Sequence, residues 1–392
     1  MMILQFGAGN IGRGFMGHLF HEAGYKVVFV ESNEELAHLL NRRKIYPLRI
    51  LDAYKREIID FVITDICAIY SIEKERIAVA FEEAQCVGTA VGISSYQAIA
   101  PLLAAGIRRR REKRLGPIDC YLCENDLTAH IKLKNAVWLH FDPIDQKWAE
   151  ENVGFVRVSV ARMVPGQRKD VGDPLLVVAD AHREFPYDEK ARKASPPHLP
   201  TAKAIKHFEA EFQRKIYTYN LGHAVLAYLG YLRGYQYVHE GFNDTWISNV
   251  FDGALGETAQ ALFQKYPKVF TPEEHAHVLK DVHVRFGNPL LQDPIVRVAR
   301  DPIRKLGPSD RLIGSATFCL EQGVFPKNIA LACAAALLYD YPGDPAARTL
   351  QEKLQKRGIK EVLQEVSSIP PQSPLGKRIQ EEYYKLKMLR KG

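Results

Sequence analysis

The chain has 392 residues, of which 46% are hydrophobic and 25% are charged. This length predicts two domains with buried cores, and the composition is ordinary for a soluble globular protein. The formal net charge of +7 suits anionic small molecules and does not call for nucleic acid. No apolar run approaches the roughly 18 residues of a membrane span, and a strand-like segment starts at once, so we expect a cytoplasmic protein that does not bind membranes.

The first predicted strand, residues 2–6, leads into a glycine-rich turn and then into a helix. Strand, Gly-x-Gly-x-x-Gly and helix together are typical of a dinucleotide-binding loop. The first glycine makes the turn, the second admits a pyrophosphate, and the third allows close packing. The helix N-terminus attracts the phosphates. The predicted cofactor-binding residues in this loop are Gly7, Ala8, Gly9, Asn10, Ile11 and Gly12.

A second predicted strand, residues 25–30, ends at Glu31. An acidic residue about 20 positions beyond the loop accepts hydrogen bonds from the ribose diol and repels a 2′-phosphate. Glu31 therefore predicts NAD as the cofactor in preference to NADP. The alternative interpretation is a surface carboxylate at the end of a strand.

Strands and helices continue to alternate through the first half of the chain. A helix is predicted at residues 33–43, and further strands are predicted at residues 46–50, 58–62, 86–91, 118–123, 155–160 and 175–178. Asn125 follows the strand at 118–123. Because ligands bind beyond the carboxyl ends of parallel strands, we expect Asn125 to face the cleft. A turn-forming asparagine is the alternative.

Two further features of this half have simple structural explanations. The basic run at residues 108–114 follows an apolar helical segment, so it is interpreted as a solvated helix end. Cys120 and Cys123 could be half of a zinc site or a redox pair. No second Cys/His pair lies at a useful spacing, and alternation in an apolar strand accounts for both thiols. We therefore expect no metal.

The proline-rich segment at residues 194–200 forbids the continuation of a helix or a sheet. After it, long helical patterns replace the short strands. The predicted fold is α/β, with a Rossmann-type NAD-binding domain at residues 1–194 and an all-helical C-terminal domain at residues 201–392. The predicted helices are residues 207–230, 254–265, 272–283, 311–322, 328–339 and 377–390.

The first of these helices carries three polar residues on one side. In a regular helix Lys215, His223 and Asn220 lie at roughly 0°, 80° and 140° around the axis. An amine, an imidazole and an amide on one wall can form a proton-transfer site with a fixed hydrogen-bond donor. The alternative is a polar stripe on a solvated helix.

The pattern Lys-x4-Asn-x2-His, followed by Ala, resembles the catalytic helix of the polyol-specific long-chain dehydrogenases, the mannitol dehydrogenase family. The resemblance covers nearly the whole chain and keeps the order of the family's motifs. Its other matching segments are residues 6–14, 89–92, 124–125, 285–306 and 310–313.

The resemblance implies a metal-independent oxidoreductase. In its terms Lys215 is the general base, Asn125 and Asn220 hold the substrate oxygen, and His223 orients it. It further implies that the cofactor cleft is lined by Thr89, Val91 and Gly92, and that the substrate oxygens are contacted by Arg297 and Lys305. The nearest pattern is the phosphate-using branch, which implies that the substrate is a sugar phosphate or a polyol. We expect the protein to be a monomer or a small homo-oligomer.

One departure from the family pattern concerns the substrate pocket. Relatives carry Val-Asp-Arg-Ile near the end of the nucleotide-binding half, whereas this chain has Ala161 in place of the aspartate. Two alternatives follow. One is a reductase of a related ketose or hexuronate on the same scaffold, and the other is a non-catalytic NAD-binding sensor. The intact Lys-Asn-His set argues against the sensor.

Overall fold

The computed structural model describes residues 1–165 and 172–390. The chain divides into two compact units, Met1–Phe212 and Gln213–Gly392. The first unit combines a parallel sheet with helices, and the elements of the second unit are all helices in its described residues. The predicted fold class is therefore confirmed.

The strands lie in the first unit. In chain order they are β1 Met2–Phe6, β2 Lys26–Glu31, β3 Tyr46–Asp52, β4 Glu57–Ile63, β5 Ile66–Tyr70, β6 Cys86–Thr89, β7 Ile118–Leu122, β8 Val153–Arg157, β9 Val177–Asp180, β10 Phe185–Asp188 and β11 Ala202–Ile205.

Six of these strands form one parallel sheet in the order β5-β2-β1-β6-β7-β8. Counted along the chain within the sheet, this is the order 3-2-1-4-5-6 of a doubly wound dinucleotide-binding fold. All residues of β1 and β7 are buried, as expected for a sheet that is covered on both faces. The strand order reverses between β1 and β6, and ligands bind at this switch point.

Helices cover both faces of the sheet. Alternate residues of β1 enter separate hydrophobic clusters, because Ile3 packs on one face and Leu4 on the other. The helix at Glu34–Arg43 begins where the Asn33 side chain accepts a hydrogen bond from the Leu36 amide. The α-helices of this unit are α1 His18–Glu22, α2 Glu34–Arg43, α3 Lys74–Glu83, α4 Tyr96–Glu112, α5 Ala129–Trp138 and α6 Pro143–Asn152.

Two small sheets complete the first unit. Strands β3 and β4 form an antiparallel pair, and β9 joins β3 in parallel. Strand β11 pairs in parallel with β10. Residues 202–205 thus lie in the first unit, although the sequence places them after the proline-rich break.

The basic run at the end of α4 is only partly solvated, so that interpretation was wrong for its central residues. Arg110 is buried, and its guanidinium donates hydrogen bonds to the carbonyls of Phe81 and Gly116. Arg108 and Arg111 both pair with the buried carboxylate of Asp145. These arginines therefore fix α4 against its neighbours.

The second unit consists of helices, and α7 crosses the division between the units. None of the helices in the described ranges combines the length and the hydrophobicity that a bilayer span requires. The α-helices are α7 Phe208–Lys215, α8 Leu221–Leu232, α9 Val238–Asn243, α10 Thr245–Lys265, α11 Pro272–Phe286, α12 Ile295–Ala299, α13 Pro302–Lys305, α14 Ile313–Glu321, α15 Lys327–Leu337, α16 Pro345–Ser367 and α17 Pro374–Leu389.

Helix α8 is the core helix of this unit. It is buried along most of its length and is packed by α9, α10, α12 and α15. A helix that is apolar around its whole circumference is expected at such a central position. Three of the predicted catalytic residues follow one another along this helical stretch: Lys215 ends α7, Asn220 ends the segment that joins α7 to α8, and His223 lies in α8.

Candidate active site

The glycine-rich loop at the end of β1 has the shape that its sequence pattern predicts. Gly7 has a φ of +88°, and a Cβ atom added to Gly12 would lie 1.9 Å from the Gly7 carbonyl oxygen. A Cβ added to Gly9 would meet no atom within 4 Å. Two glycines thus allow the turn and the close packing, and the third leaves open space in front of the backbone.

The helix that follows the loop begins irregularly. Asn10 and Ile11 start it, half-buried, and the segment Gly12–Gly17 is π-helical before α1 continues. Arg13 within this segment is buried, and its guanidinium donates hydrogen bonds to the carbonyls of Ala8 (2.6 Å) and Leu175 (2.7 Å). Arg13 therefore links Ala8 in the glycine loop to Leu175. Sequence reasoning missed this role, because the Leu175 partner lies far away in the chain.

Glu31 lies at the edge of the predicted cofactor site. Its Oε2 accepts a hydrogen bond from the Ala8 amide at 2.7 Å, and its Oε1 accepts one from the Asn33 amide at 2.8 Å. The carboxylate lines a cavity of about 500 Å³ that also borders Gly9 and Val91. A carboxylate oxygen accepts more than one hydrogen bond, so Glu31 can still receive a ribose diol.

The opposite side of the switch point is organised by Glu124. This buried carboxylate accepts hydrogen bonds from the hydroxyls of Thr89 (2.8 Å) and Tyr96 (2.8 Å) and from the Val91 amide (3.0 Å). Gly92 follows with a φ of +82°. Glu124 therefore holds the segment after β6 against the end of β7. The sequence singled out Glu124 by resemblance but did not indicate this role.

Asn125 and Ala161 are the two remaining predicted positions in the first unit. Asn125 directly follows Glu124 beyond the end of β7 and is exposed. Ala161 is half-buried next to Arg162, whose guanidinium bonds the His18 ring at 2.8 Å and the Asp180 carbonyl at 2.8 Å. The roles of both positions toward a substrate stay predictions.

These residues fit a bound dinucleotide. The open face of Gly9 and the carboxylate of Glu31 border the same cavity, which extends to Val91 across the switch point. In a dinucleotide site the glycine-rich turn and the start of the helix bind the phosphates, and the acidic residue at the end of the second strand binds the ribose.

In the second unit, Lys215 ends α7 and is 7% exposed. Burial, reinforced by Arg311 and opposed by Asp310, lowers the pKa of Lys215 from 10.5 to about 7. A lysine with such a pKa carries its proton about half of the time at neutral pH, so it can serve as acid or base. Nothing in the sequence indicated that Arg311 contributes to this shift.

A π-helical segment, Ile216–Asn220, separates Lys215 from α8, and the Leu221 amide bonds the Ile216 carbonyl. A single π-turn inserts one extra residue into the helix, so the residues after it are turned back by roughly 100°. Applied to the angles of a regular helix, this correction brings Lys215, Asn220 and His223 within an arc of about 60°. The irregularity thus favours the convergence that the sequence pattern predicts.

His223 is fixed by two contacts. Its ring stacks on Phe286 with centroids 4.8 Å apart, and its Nε2 lies 2.9 Å from the Asp293 carboxylate. Burial lowers the pKa of His223, although the hydrogen bond to Asp293 opposes that effect. The imidazole is therefore neutral at pH 7. Asp293 was not singled out from the sequence, because it lies before the start of α12 and its His223 partner is 70 positions away.

The two predicted substrate-binding cations lie on separate short helices. Arg297 on α12 forms a two-point ion pair with Asp293, with a distance of 2.7 Å from Nε to Oδ1. Lys305 on α13 is buried and donates to the Arg300 carbonyl. Burial, reinforced by Arg311 and Arg304, holds the pKa of Lys305 well below its usual value. The chain between the two residues is not one helix, because α12 ends at Ala299 and α13 begins at Pro302.

The two cysteines of the Cys-x-x-Cys pattern lie on opposite faces of the sheet. Cys120 belongs to one hydrophobic cluster and Cys123 to the other, and burial raises the pKa of both thiols. Residues 1–165 and 172–390 contain no group of three or more His, Cys, Asp or Glu side chains arranged to hold a metal ion. Alternation in a buried strand accounts for this pair.

Two family profiles cover nearly the whole chain. The mannitol dehydrogenase Rossmann domain matches residues 1–201, and the mannitol dehydrogenase C-terminal domain matches residues 205–387. Among similar proteins, the mannitol-1-phosphate 5-dehydrogenase of Brevibacillus brevis is 37% identical over 99% of this chain and 98% of its own length. That of Bacillus subtilis is 38% identical over 96% of this chain and 97% of its own length.

Solved structures show the same fold. Mannitol 2-dehydrogenase from Pseudomonas fluorescens, in a ternary complex with NAD and D-mannitol, is 18% identical with a TM-score of 0.80, over 100% of this chain and 94% of that chain. A D-sorbitol dehydrogenase in substrate-free form is 17% identical with a TM-score of 0.78, over 99% of this chain and 93% of that chain.

Proposed function

This chain belongs to the mannitol dehydrogenase family, and on that premise we propose that it interconverts D-mannitol 1-phosphate and D-fructose 6-phosphate with NAD. The observation that carries the proposal is the buried Lys215, whose pKa is about 7, in a chain that matches mannitol-1-phosphate 5-dehydrogenases over 96–99% of its length. The proposed activity is that of an NAD-dependent mannitol-1-phosphate 5-dehydrogenase.

Lys215 is the general acid and base of the reaction. When bound, NAD supplies the hydride acceptor for oxidation at C5, and its reduced form supplies the hydride for reduction at C2. In oxidation, neutral Lys215 takes the proton of the reacting hydroxyl, and in reduction protonated Lys215 returns it. Asn125 and Asn220 donate hydrogen bonds to the developing negative oxygen, and His223 orients it.

The first unit holds the cofactor. The glycine loop, with its open face at Gly9, cradles the pyrophosphate, and Glu31 binds the ribose diol. Thr89, Val91 and Gly92 line the other end of the site, and their segment is held by Glu124. The negative charge of Glu31 disfavours the 2′-phosphate of NADP.

The substrate is a phosphorylated C6 sugar. Basic residues are dense between Arg285 and Arg311, and they include Arg297 and Lys305. Guanidinium groups suit phosphate, because their planar fork donates two hydrogen bonds at once. Ala161 also removes a negative charge that relatives carry, which makes an anionic substrate easier to hold.

The proposal extends to the location, the binding partners and the oligomeric state of the enzyme. We propose a cytoplasmic enzyme that acts on small molecules, binds neither nucleic acid nor membranes, and is a monomer or a small homo-oligomer. The modest net charge of +7 suits small anionic molecules and does not call for a nucleic-acid partner.

A substrate panel tests the proposal. NADH oxidation is measured with fructose 6-phosphate, fructose, tagaturonate and fructuronate. Fructose 6-phosphate should exceed fructose by about 10²-fold or more in kcat/KM, the order expected for a lost charged hydrogen-bonding partner. The matched variant is Lys215→Met, which should bind NADH normally and turn over at least about 10²-fold more slowly. Equal rates with fructose, or activity confined to a hexuronate, would contradict the proposed substrate.

A further inference from the structure

Asp293 stands between two predicted site residues and has no role assigned to it so far. It is 3% exposed, and its carboxylate contacts both the His223 imidazole and the Arg297 guanidinium. Oδ2 lies 2.9 Å from Nε2 of His223, and Arg297 donates to both oxygens, from Nε to Oδ1 at 2.7 Å and from Nη2 to Oδ2 at 2.5 Å.

The backbone around Asp293 is held in place independently of these side chains. The Asp293 carbonyl accepts a hydrogen bond from the Val238 amide at 3.0 Å, and the Ile295 amide donates to the Gln236 carbonyl at 2.9 Å. Tyr237 and Pro294 form an antiparallel bridge between the same segments. The carboxylate therefore has a fixed position, from which it can dictate the orientation of its partners.

The hydrogen-bonding chemistry of this arrangement determines the tautomer of His223. Burial opposes ionisation of Asp293, but Arg297 and His223 outweigh it and hold its pKa below the usual range. The charged groups that act on His223 are Asp293, Arg297 and Arg311, and burial makes the largest contribution to its lowered pKa. A neutral imidazole that faces an ionised carboxylate through Nε2 must carry its proton there. Its Nδ1 is then a hydrogen-bond acceptor.

We propose that Asp293 is a positioning residue, which fixes His223 with its proton on Nε2 and orients Arg297 with the same carboxylate. On this basis Nδ1 of His223 accepts a hydrogen bond from a hydroxyl of the substrate. The inference rests on the proposed function only for the identity of the substrate that carries this hydroxyl. His223 then accepts a hydrogen bond from a substrate hydroxyl, whereas Asn125, Asn220 and Lys215 donate hydrogen bonds to the oxygen that becomes negative.

Asp293→Asn is the informative substitution, since it keeps the size of the side chain but replaces one acceptor oxygen with an NH₂ donor. The amide nitrogen can donate a hydrogen bond to Nε2, which moves the imidazole proton to Nδ1. A donor then faces the substrate hydroxyl. The two-point pair with Arg297 is lost at the same time, because an amide carries no charge.

The direct test is nitrogen NMR of the full-length protein with ¹⁵N-labelled histidine. The chain has 13 histidines, so the His223 signal is assigned by its loss in His223→Gln. In the wild type we expect a proton on Nε2 and a bare Nδ1 between pH 7 and 8. A proton on Nδ1, or a doubly protonated ring at pH 7, would overturn the proposal even if Asp293→Asn fails to fold.

Kinetics provide the second readout. Asp293→Asn should lower kcat/KM for fructose 6-phosphate by about 10–10²-fold, while the Kd of NADH stays unchanged. The matched control is Asp244→Asn, which alters a carboxylate that caps α10 through the Trp246 and Ile247 amides. Because asparagine caps a helix about as well as aspartate, this variant should keep its fold and leave kcat/KM unchanged. Equal loss in both variants would indicate a structural role for Asp293. The NMR measurement needs no substrate, so an inactive wild type would count against the proposed function alone.

Discussion

The pH dependence of hexitol phosphate oxidation should report the titration of Lys215. Oxidation needs the neutral amine as base, and reduction needs the protonated amine as acid. Because the pKa of Lys215 is about 7, log kcat/KM for oxidation should rise by one per pH unit below about pH 7 and level off above it. The reverse reaction should be level below that pH and fall above it.

The size of the effect follows from the lowered pKa. With the ordinary value of 10.5, a fraction of about 3 × 10⁻⁴ of the lysine would be neutral at pH 7, whereas a pKa of about 7 makes about half of it neutral. The buried site thus raises the amount of active base about 10³-fold at pH 7. The same shift corresponds to roughly 5 kcal/mol of differential stabilisation of the neutral form.

The assay is the initial rate of NADH formation from D-mannitol 1-phosphate between pH 5.5 and 9.5, with Lys215→Arg as the comparison. Arginine keeps a positive charge but does not lose its proton in this range, so the variant should be at least about 10²-fold slower. A wild-type rate that still rises tenfold per unit at pH 9 would refute the lowered pKa. An unchanged profile in Lys215→Arg would refute the assignment of the base.

Three further changes have defined outcomes. Lys215→Met should raise the free energy of unfolding at pH 7, by at most roughly 4 kcal/mol, because the folded state depresses this pKa; in denaturant titrations the gain should shrink as the pH rises from 7 toward 10.5. The wild type should have a kcat/KM with NAD at least about tenfold higher than with NADP, and Glu31→Ala should reduce this ratio. Equal use of the two cofactors by the wild type would contradict the role of Glu31. In Glu124→Gln an amide NH₂ replaces one of the carboxylate oxygens that accept hydrogen bonds from Thr89, Val91 and Tyr96, so the segment that lines the cofactor site is held less well. Calorimetry should then find that NADH binds about tenfold more weakly.

Features that depend on neighbouring residues could be predicted from the sequence. The glycine loop combines a turn at Gly7 with close packing at Gly12, and both demands arise within a few residues. Alternation in an apolar strand likewise accounts for Cys120 and Cys123, and the two lie on opposite faces of the sheet. Local patterns carry this information because strand and helix periodicities are short.

Features that depend on distant partners could not be predicted in the same way. Asp293 meets His223 across 70 positions of the chain, and Arg13 meets Leu175 across 162. The π-helical segment at Ile216–Asn220 also has no sequence signature, since a one-residue insertion in a helix is decided by packing. Helix α16 was missed altogether, and it contains Gly358 in a non-helical conformation.

Product identification tests the central claim most directly. The wild-type protein is incubated with NADH and fructose 6-phosphate after exhaustive chelation, and the hexitol phosphate that forms is identified by ¹³C NMR. Reduction at C2 gives D-mannitol 1-phosphate from one face of the ketone and D-glucitol 6-phosphate from the other. We expect D-mannitol 1-phosphate, formed with one NADH consumed per molecule and undiminished by the chelator. Formation of the glucitol phosphate, or of no hexitol phosphate, would contradict the proposed function.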